Sequence, residues 1–167
     1  MKILVKSIIA AVAIFILLRA CSPQTTGSHP LIGQLAPNFT LGTLSDQNKT
    51  MSLTRDGQSA IIFFWAVWCP HCRRQLTALT QQQADIEKKG IKIILVNVGE
   101  DLRKVKDYFS ANNISSDVFL DQNSAVAGNY NIVGVPTFFF VNTEGIIIAA
   151  EHSLPSDYEK ILLGLAP

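Results

Sequence analysis

A chain of 167 residues, less an apolar N-terminal stretch, has the length of one domain and can bury a core that folds alone. Lys and Arg total 14 against 13 Asp and Glu, for a formal net charge of +1. No run of basic residues is placed to neutralise successive phosphates, so nucleic acid has no support as a partner.

In chain order, Lys2 and Lys6 precede Ile8 to Leu18 (IIAAVAIFILL), an unbroken apolar run that marks residues 1–21 as a signal or membrane anchor. The run alone is shorter than the ~20 residues of a spanning helix; counted out to Ile3 and Ala20, with Lys6 and Arg19 snorkelling, it reaches that length. Leu18-Arg19-Ala20-Cys21 resembles a lipoprotein lipobox in which Cys21 is lipidated, although Arg19 fits that motif poorly. A retained anchor, a lipidated Cys21 and a cleaved signal are three open outcomes, and each exports the remainder of the chain. The lysines hold the start of the chain in the cytoplasm, so the domain is expected on the periplasmic face of a bacterial inner membrane, or secreted.

Residues 22–32, rich in Ser, Thr, Pro and Gly, read as a linker, and residues 33–167 as the domain. Phe39 to Leu41 and Thr50 to Leu53 are short alternating runs around Asp46-Gln47-Asn48-Lys49, which predicts an N-terminal β-hairpin. Ala60 to Trp65 (AIIFFW) lacks polar alternation and reads as a central strand buried on both faces. Pro70 to Lys89 predicts a helix ending at Gly90. A second buried strand comes next at Ile91 to Val98, then a helix over Asp101 to Asn112. Val118 to Leu120 is a short strand, and Ser124 to Asn129 a short helix or turn. Thr137 to Val141 and Ile146 to Ala150 flank Asn142-Thr143-Glu144-Gly145 as a hairpin, and a helix over Ser156 to Leu165 closes the chain. Strands alternating with helices and then a hairpin define an α/β fold, a central mixed β-sheet flanked by helices with an N-terminal hairpin extension.

The chemistry gathers at Trp65-Ala66-Val67-Trp68-Cys69-Pro70-His71-Cys72, where two cysteines fall at a strand-to-helix junction. Unsatisfied N–H groups and the helix dipole favour a negative sulfur there, so Cys69 is the candidate nucleophile. Pro70 suits the first helical position. Cys72, one turn on, is within disulfide reach and is the candidate resolving thiol. His71, protonated or donating toward sulfur, would stabilise the thiolate and make the disulfide more oxidising, so Pro70 and His71 tune the potential. A structural disulfide and a zinc site are the competing readings. His29 and His152 lie far off in sequence and there is no second Cys-x-x-Cys, so no metal is expected. Val135-Pro136-Thr137 is the second element: a proline ahead of an apolar strand marks its start, and a cis bond is compatible with that place.

Taken together, WCPHC, the later GVPT, the FFFVNTEG hairpin and the early IGQLAPNFTL resemble the TlpA-like branch of the thioredoxin superfamily. These are membrane-tethered periplasmic proteins that include the ResA- and CcmG-like reductants of cytochrome c maturation. The resemblance runs from about Leu31 to the C-terminus and implies a thioredoxin-like fold and thiol-disulfide oxidoreductase activity, with no cofactor beyond the Cys69–Cys72 disulfide. It implies Cys69 as the exposed nucleophile, Cys72 as resolving cysteine, Pro136 as a cis-proline beside them, Val135 as a backbone partner for an extended substrate, and Trp65 and Trp68 packed around the site. Implied partners are protein thiols and disulfides and a membrane redox protein that recycles the dithiol.

Two positions depart from the pattern. Phe63 stands where thioredoxins bury an acid, and Gln75 where many TlpA-like reductants carry Glu, so neither offers a proton acceptor for reductase turnover. Pro-His between the cysteines resembles the DsbA-type oxidases instead. The expectation is therefore disulfide exchange, with an oxidase or isomerase poise ahead of a dedicated cytochrome c maturation reductant. A peroxiredoxin-like peroxidase wants Thr and Pro before its cysteine, which Phe64 to Trp68 do not supply. A non-catalytic thiol-binding chaperone using the groove at Pro136 is the remaining alternative.

Overall fold

The strand Ser59–Trp65 sits at the centre of the sheet because nothing in it needs water: Ala60 to Trp65 are all 0% exposed. At ~1.5–3 kcal/mol for each large side chain removed from solvent, this strand is a principal source of stability. The computed structural model describes residues 29–162, so the anchor segment with Cys21, and most of the linker, lie outside the described residues.

In chain order the elements are β1 (Thr40–Gly42), β2 (Asn48–Thr50), α1 (Met51–Arg55), β3 (Ser59–Trp65), α2 (Pro70–Lys88), β4 (Ile91–Val98), α3 (Leu102–Ala111), β5 (Phe119–Asp121), α4 (Ala125–Asn129), β6 (Thr137–Val141), β7 (Ile147–Glu151) and α5 (Tyr158–Leu162). The main sheet has five strands in the order β5-β4-β3-β6-β7, while β1 and β2 form a separate antiparallel pair. Strand β3 runs parallel to β4 and antiparallel to β6, and β7 returns antiparallel to β6. The sheet is thus the mixed α/β arrangement expected from the sequence.

Alternation along β3 separates two cores. Ile61, Phe63 and Trp65 pack against Leu76 and Leu79 of α2, Val105 and Phe109 of α3, and Tyr158 of α5. Ala60, Ile62 and Phe64 face Phe39, Met51 and Tyr130 on the other side. The Tyr130 hydroxyl donates to the Pro37 carbonyl at 2.8 Å, and burial pushes its phenol pKa well up.

Part of the second predicted hairpin arm is not a strand. β2 ends at Thr50, and Met51 to Arg55 form α1, closed by Asp56 in the left-handed region at φ 50°. Alternation in Thr50 to Leu53 imitated a strand, but only Met51 is buried, and the Asn38 side-chain oxygen accepts the Ser52 N–H at 3.0 Å, which favours the turn. The last helix is also shorter within the described residues, Tyr158–Leu162.

Candidate active site

Strand β3 ends at Trp65 and α2 begins at Pro70, so residues 66–69 turn the chain across the end of the sheet. Cys69 is the N-cap of α2, and its sulfur accepts the Cys72 N–H at 3.1 Å. Cys69 and Cys72 are joined as a disulfide with Cα atoms 5.2 Å apart. Cys69 is 5% exposed and Cys72 0%, so both are buried in the disulfide form, unlike the exposed Cys69 expected from the sequence, and Cys69 is only the less buried of the two. The Cys72 N–H that meets the disulfide here would stabilise a thiolate on Cys69 after reduction.

Across from the pair, the Val135–Pro136 bond is cis and Pro136 immediately precedes β6. The Cys69 sulfur lies 3.7 Å from the Val135 carbonyl oxygen. Cys69, Cys72, Val135 and Pro136 are therefore one cluster in space. The two tryptophans divide: Trp65 is fully buried against Tyr108 and Phe109, whereas Trp68 is 64% exposed on the rim.

His71 is held by Arg74, whose Nη2 donates to Nδ1 at 3.0 Å. The guanidinium has no lone pair to accept with, so that ring nitrogen is the acceptor. The guanidinium thus brings a permanent positive charge to His71, the residue between the cysteines.

His152 is not remote in space. The pairing of Phe138 with Glu151 brings the next residue level with the start of β6, and His152 Nδ1 donates to the Pro136 carbonyl at 2.9 Å. His29, by contrast, lies edge-on to the Phe139 ring. Among the described residues no cluster of His, Cys, Asp and Glu is arranged to hold a metal.

Phe63 and Gln75 have other duties. The Phe63 ring stacks on Phe138 at 4.2 Å between centroids, and Gln75 Oε1 accepts the Leu154 N–H at 3.2 Å. The carboxylate beneath the loop is Glu100, which sequence reasoning missed. Its Oε2 accepts the Val67 N–H at 2.6 Å and an Asn97 Nδ2–H at 2.8 Å, and Lys104 Nζ lies 2.7 Å from Oε1. Burial pushes this carboxyl up, but hydrogen bonds from Lys104, Asn97 and Val67 outweigh that and hold it below the ordinary value. Its signals were an acid just beyond the end of a buried strand and a lysine four residues later.

A five-stranded mixed sheet, with a disulfide on the first turn of the helix after its central strand and a cis-proline facing it, defines a thiol-disulfide oxidoreductase of the thioredoxin superfamily. Residues 32–150 match the model of the AhpC/TSA family, and the chain belongs to that family. It is similar to the thiol-disulfide oxidoreductase ResA of Bacillus subtilis, 28% identical over 135 residues that span 78% of this chain and 75% of that one. It is also similar to the sporulation thiol-disulfide oxidoreductase A of the same organism, 28% identical over 104 residues, 60% of this chain and 63% of the other. Among solved structures, one from Chlorobium tepidum, provisionally described as the thiol:disulfide interchange protein DsbE, superimposes with a TM-score of 0.71 over 80% of this chain and 96% of its own. At 24% identity it speaks to the fold alone.

Proposed function

We propose that Cys69 and Cys72 are the redox pair through which this protein exchanges disulfides with protein thiols outside the cytoplasmic membrane, with residues 1–21 as the export or anchoring segment and 33–167 as the working domain. The observation that carries this reading is the Cys69–Cys72 disulfide on the first turn of α2, with the Cys69 sulfur 3.7 Å from the Val135 carbonyl.

In the oxidising direction, a substrate thiolate attacks Cys69 Sγ and Cys72 leaves as a thiolate. A second substrate thiolate then attacks the substrate sulfur of that mixed disulfide and displaces Cys69. The substrate gains a disulfide, and two electrons rest on the Cys69/Cys72 dithiol until a membrane redox partner removes them. Val135 offers backbone to an extended substrate, Pro136 shapes that groove and Trp68 forms its rim. The Cys72 N–H favours the thiolate, which supports the oxidising poise, and Pro70 and His71 are the residues placed between the cysteines to tune it. No cofactor enters the scheme.

A second reading, the dedicated reductant of cytochrome c maturation, is favoured by Glu100. Its carboxylate binds the backbone two residues before Cys69, and a negative charge there opposes the thiolate and lowers the potential. Neither Thr nor Pro stands in Phe64 to Trp68, which leaves peroxide chemistry without its usual apparatus.

The full-length protein in non-ionic detergent, equilibrated against glutathione or dithiothreitol buffers, tests the direction. A potential between about −120 and −180 mV supports the oxidising reading, and one near about −270 mV selects the reductant. Cys69→Ser is expected to abolish exchange and Cys72→Ser to accumulate mixed disulfides visible by mass spectrometry. Full exchange by Cys69→Ser would remove both readings.

A further inference from the structure

We propose that the face around the disulfide selects negatively charged partners, so that the substrate is an acidic cysteine-bearing polypeptide read by Arg73 and Arg74. This rests on the redox reading of Cys69 and Cys72 and names its substrate class.

Arg73 and Arg74 come directly after Cys72, at the start of α2, and both are exposed. A helix N-terminus carries partial positive charge and normally recruits Asp or Glu, yet the first turn of α2 contains no acid. Neither arginine has a carboxylate partner: among the described residues the ion pairs use Lys49, Lys88, Lys89, Arg103 and Lys104. The chain outside the described residues holds no Asp or Glu side chain that could supply one. The one recorded side-chain partner of Arg74 is the His71 ring, not a carboxylate. Two consecutive cations therefore stand against the helix dipole without an internal counter-ion, next to the reacting sulfurs. A local rule broken at that place points to something gained in function.

Glu100, the acid under the loop, is turned inward and taken by Val67, Asn97 and Lys104, so it does not neutralise the outer face. Close to the pair in sequence, Trp68 is 64% exposed, and Val133 is fully exposed. Val133 lies two residues before Val135, whose carbonyl faces the Cys69 sulfur. A partner's apolar contact with Trp68 and Val133 would add to guanidinium–carboxylate pairs at Arg73 and Arg74, while a basic segment would be repelled. A cysteine flanked by Asp or Glu and by apolar residues complements this surface.

The test uses full-length protein in non-ionic detergent, reduced and mixed with three small disulfides: anionic 3,3′-dithiodipropionate, neutral 2-hydroxyethyl disulfide and cationic cystamine. Remaining thiols are counted by acid quench, alkylation and mass spectrometry. Each rate is divided by that of dithiothreitol with the same disulfide, which cancels intrinsic reactivity and the repulsion between any thiolate and an anion. The anionic disulfide is expected to outrun the cationic one by about tenfold at low ionic strength, with the ratio collapsing at ~0.5 M salt. In Arg73→Gln/Arg74→Gln the ratio should fall toward one while the Tm rises, because the clash with the dipole is gone. Equal normalised rates, a preference for cystamine, or a preference unchanged in the double variant would overturn the proposal. Should none of the three disulfides oxidise the dithiol while dithiothreitol reacts with all of them, the redox reading itself fails, a result distinct from loss of charge preference.

Discussion

Glu100 shows how one side chain can fix the geometry of a loop it does not belong to. With the residue 5% exposed, its carboxylate receives a backbone N–H from the turn before Cys69, an amide N–H from β4 and the ammonium of Lys104. Glu100→Gln keeps the shape but loses the charge, and an amide presents one acceptor oxygen where the carboxylate has two. The expected cost is about 2 kcal/mol in denaturant unfolding at pH 7, in line with charge-assisted hydrogen bonds whose lysine partner is half exposed. A separate readout distinguishes a tuning role from simple support: removal of a negative charge near Cys69 should lower the Cys69 thiol pKa and raise the redox potential. Iodoacetamide rates against pH would register the first effect. An unchanged rate profile in a folded variant would assign Glu100 to the scaffold alone. Phe63 carries the opposite lesson, because the ring occupies the place of an acid and stacks on Phe138. Phe63→Ala is expected to cost about 3–5 kcal/mol by chemical denaturation, the range for deleting a buried phenyl.

At the scale of elements, α1 is the piece that the sequence misrepresented, and it has a structural duty. Arg55 Nη1 donates to the carbonyls of Gln58, Asn142 and Thr143 at 2.6, 3.0 and 3.0 Å, tying α1 to the β6–β7 turn. Arg55→Ala leaves those carbonyls without their donor, and an expected loss of about 2 kcal/mol would be measured by urea titration. Lysine should restore only part of it, since a single ammonium cannot match a planar fork. No local pattern announced this, because Arg55 meets Asn142 across 87 residues of chain. Strands β3 and β4 were legible since burial on both faces leaves a continuous apolar run. Helix α2 was legible from Pro70 and Gly90, as was the disulfide from cysteine spacing at the strand end. His152 and Glu100 were not, because each reaches the site through strand register and turn geometry that arise only when the sheet assembles. Gln75 likewise looked like a missing acid, whereas it is bound to the backbone of Leu154, far along the chain.

For the whole molecule, the titrating groups set a stability dome whose edges can be assigned. Glu100 and Asp117 both have carboxyl groups held below the ordinary value; for Asp117, burial pushes up but Lys49, the Val118 N–H and Ser45 prevail. A folded-state pKa lower than that of the unfolded chain contributes stability that is complete above the unfolded value, about 4.3 for Glu and 3.9 for Asp, and is lost as pH falls through the folded value. On the alkaline side Tyr130 acts in the other sense. Its hydroxyl is buried and donates to the Pro37 carbonyl, so the folded pKa is raised and the neutral form is preferred. That contribution is complete below the ordinary tyrosine value of about 10 and is lost as pH climbs above it. Thermal unfolding monitored by circular dichroism should therefore give a Tm that is level from about pH 5 to about pH 9, falling on both sides. The limbs separate genetically. Glu100→Gln should start from a lower Tm and decline less on acidification, and Tyr130→Phe, which keeps the ring but has no proton to lose, should flatten the alkaline fall. A Tyr130→Phe protein whose Tm drops above about pH 10 as steeply as the parent would show that deprotonation elsewhere governs that edge.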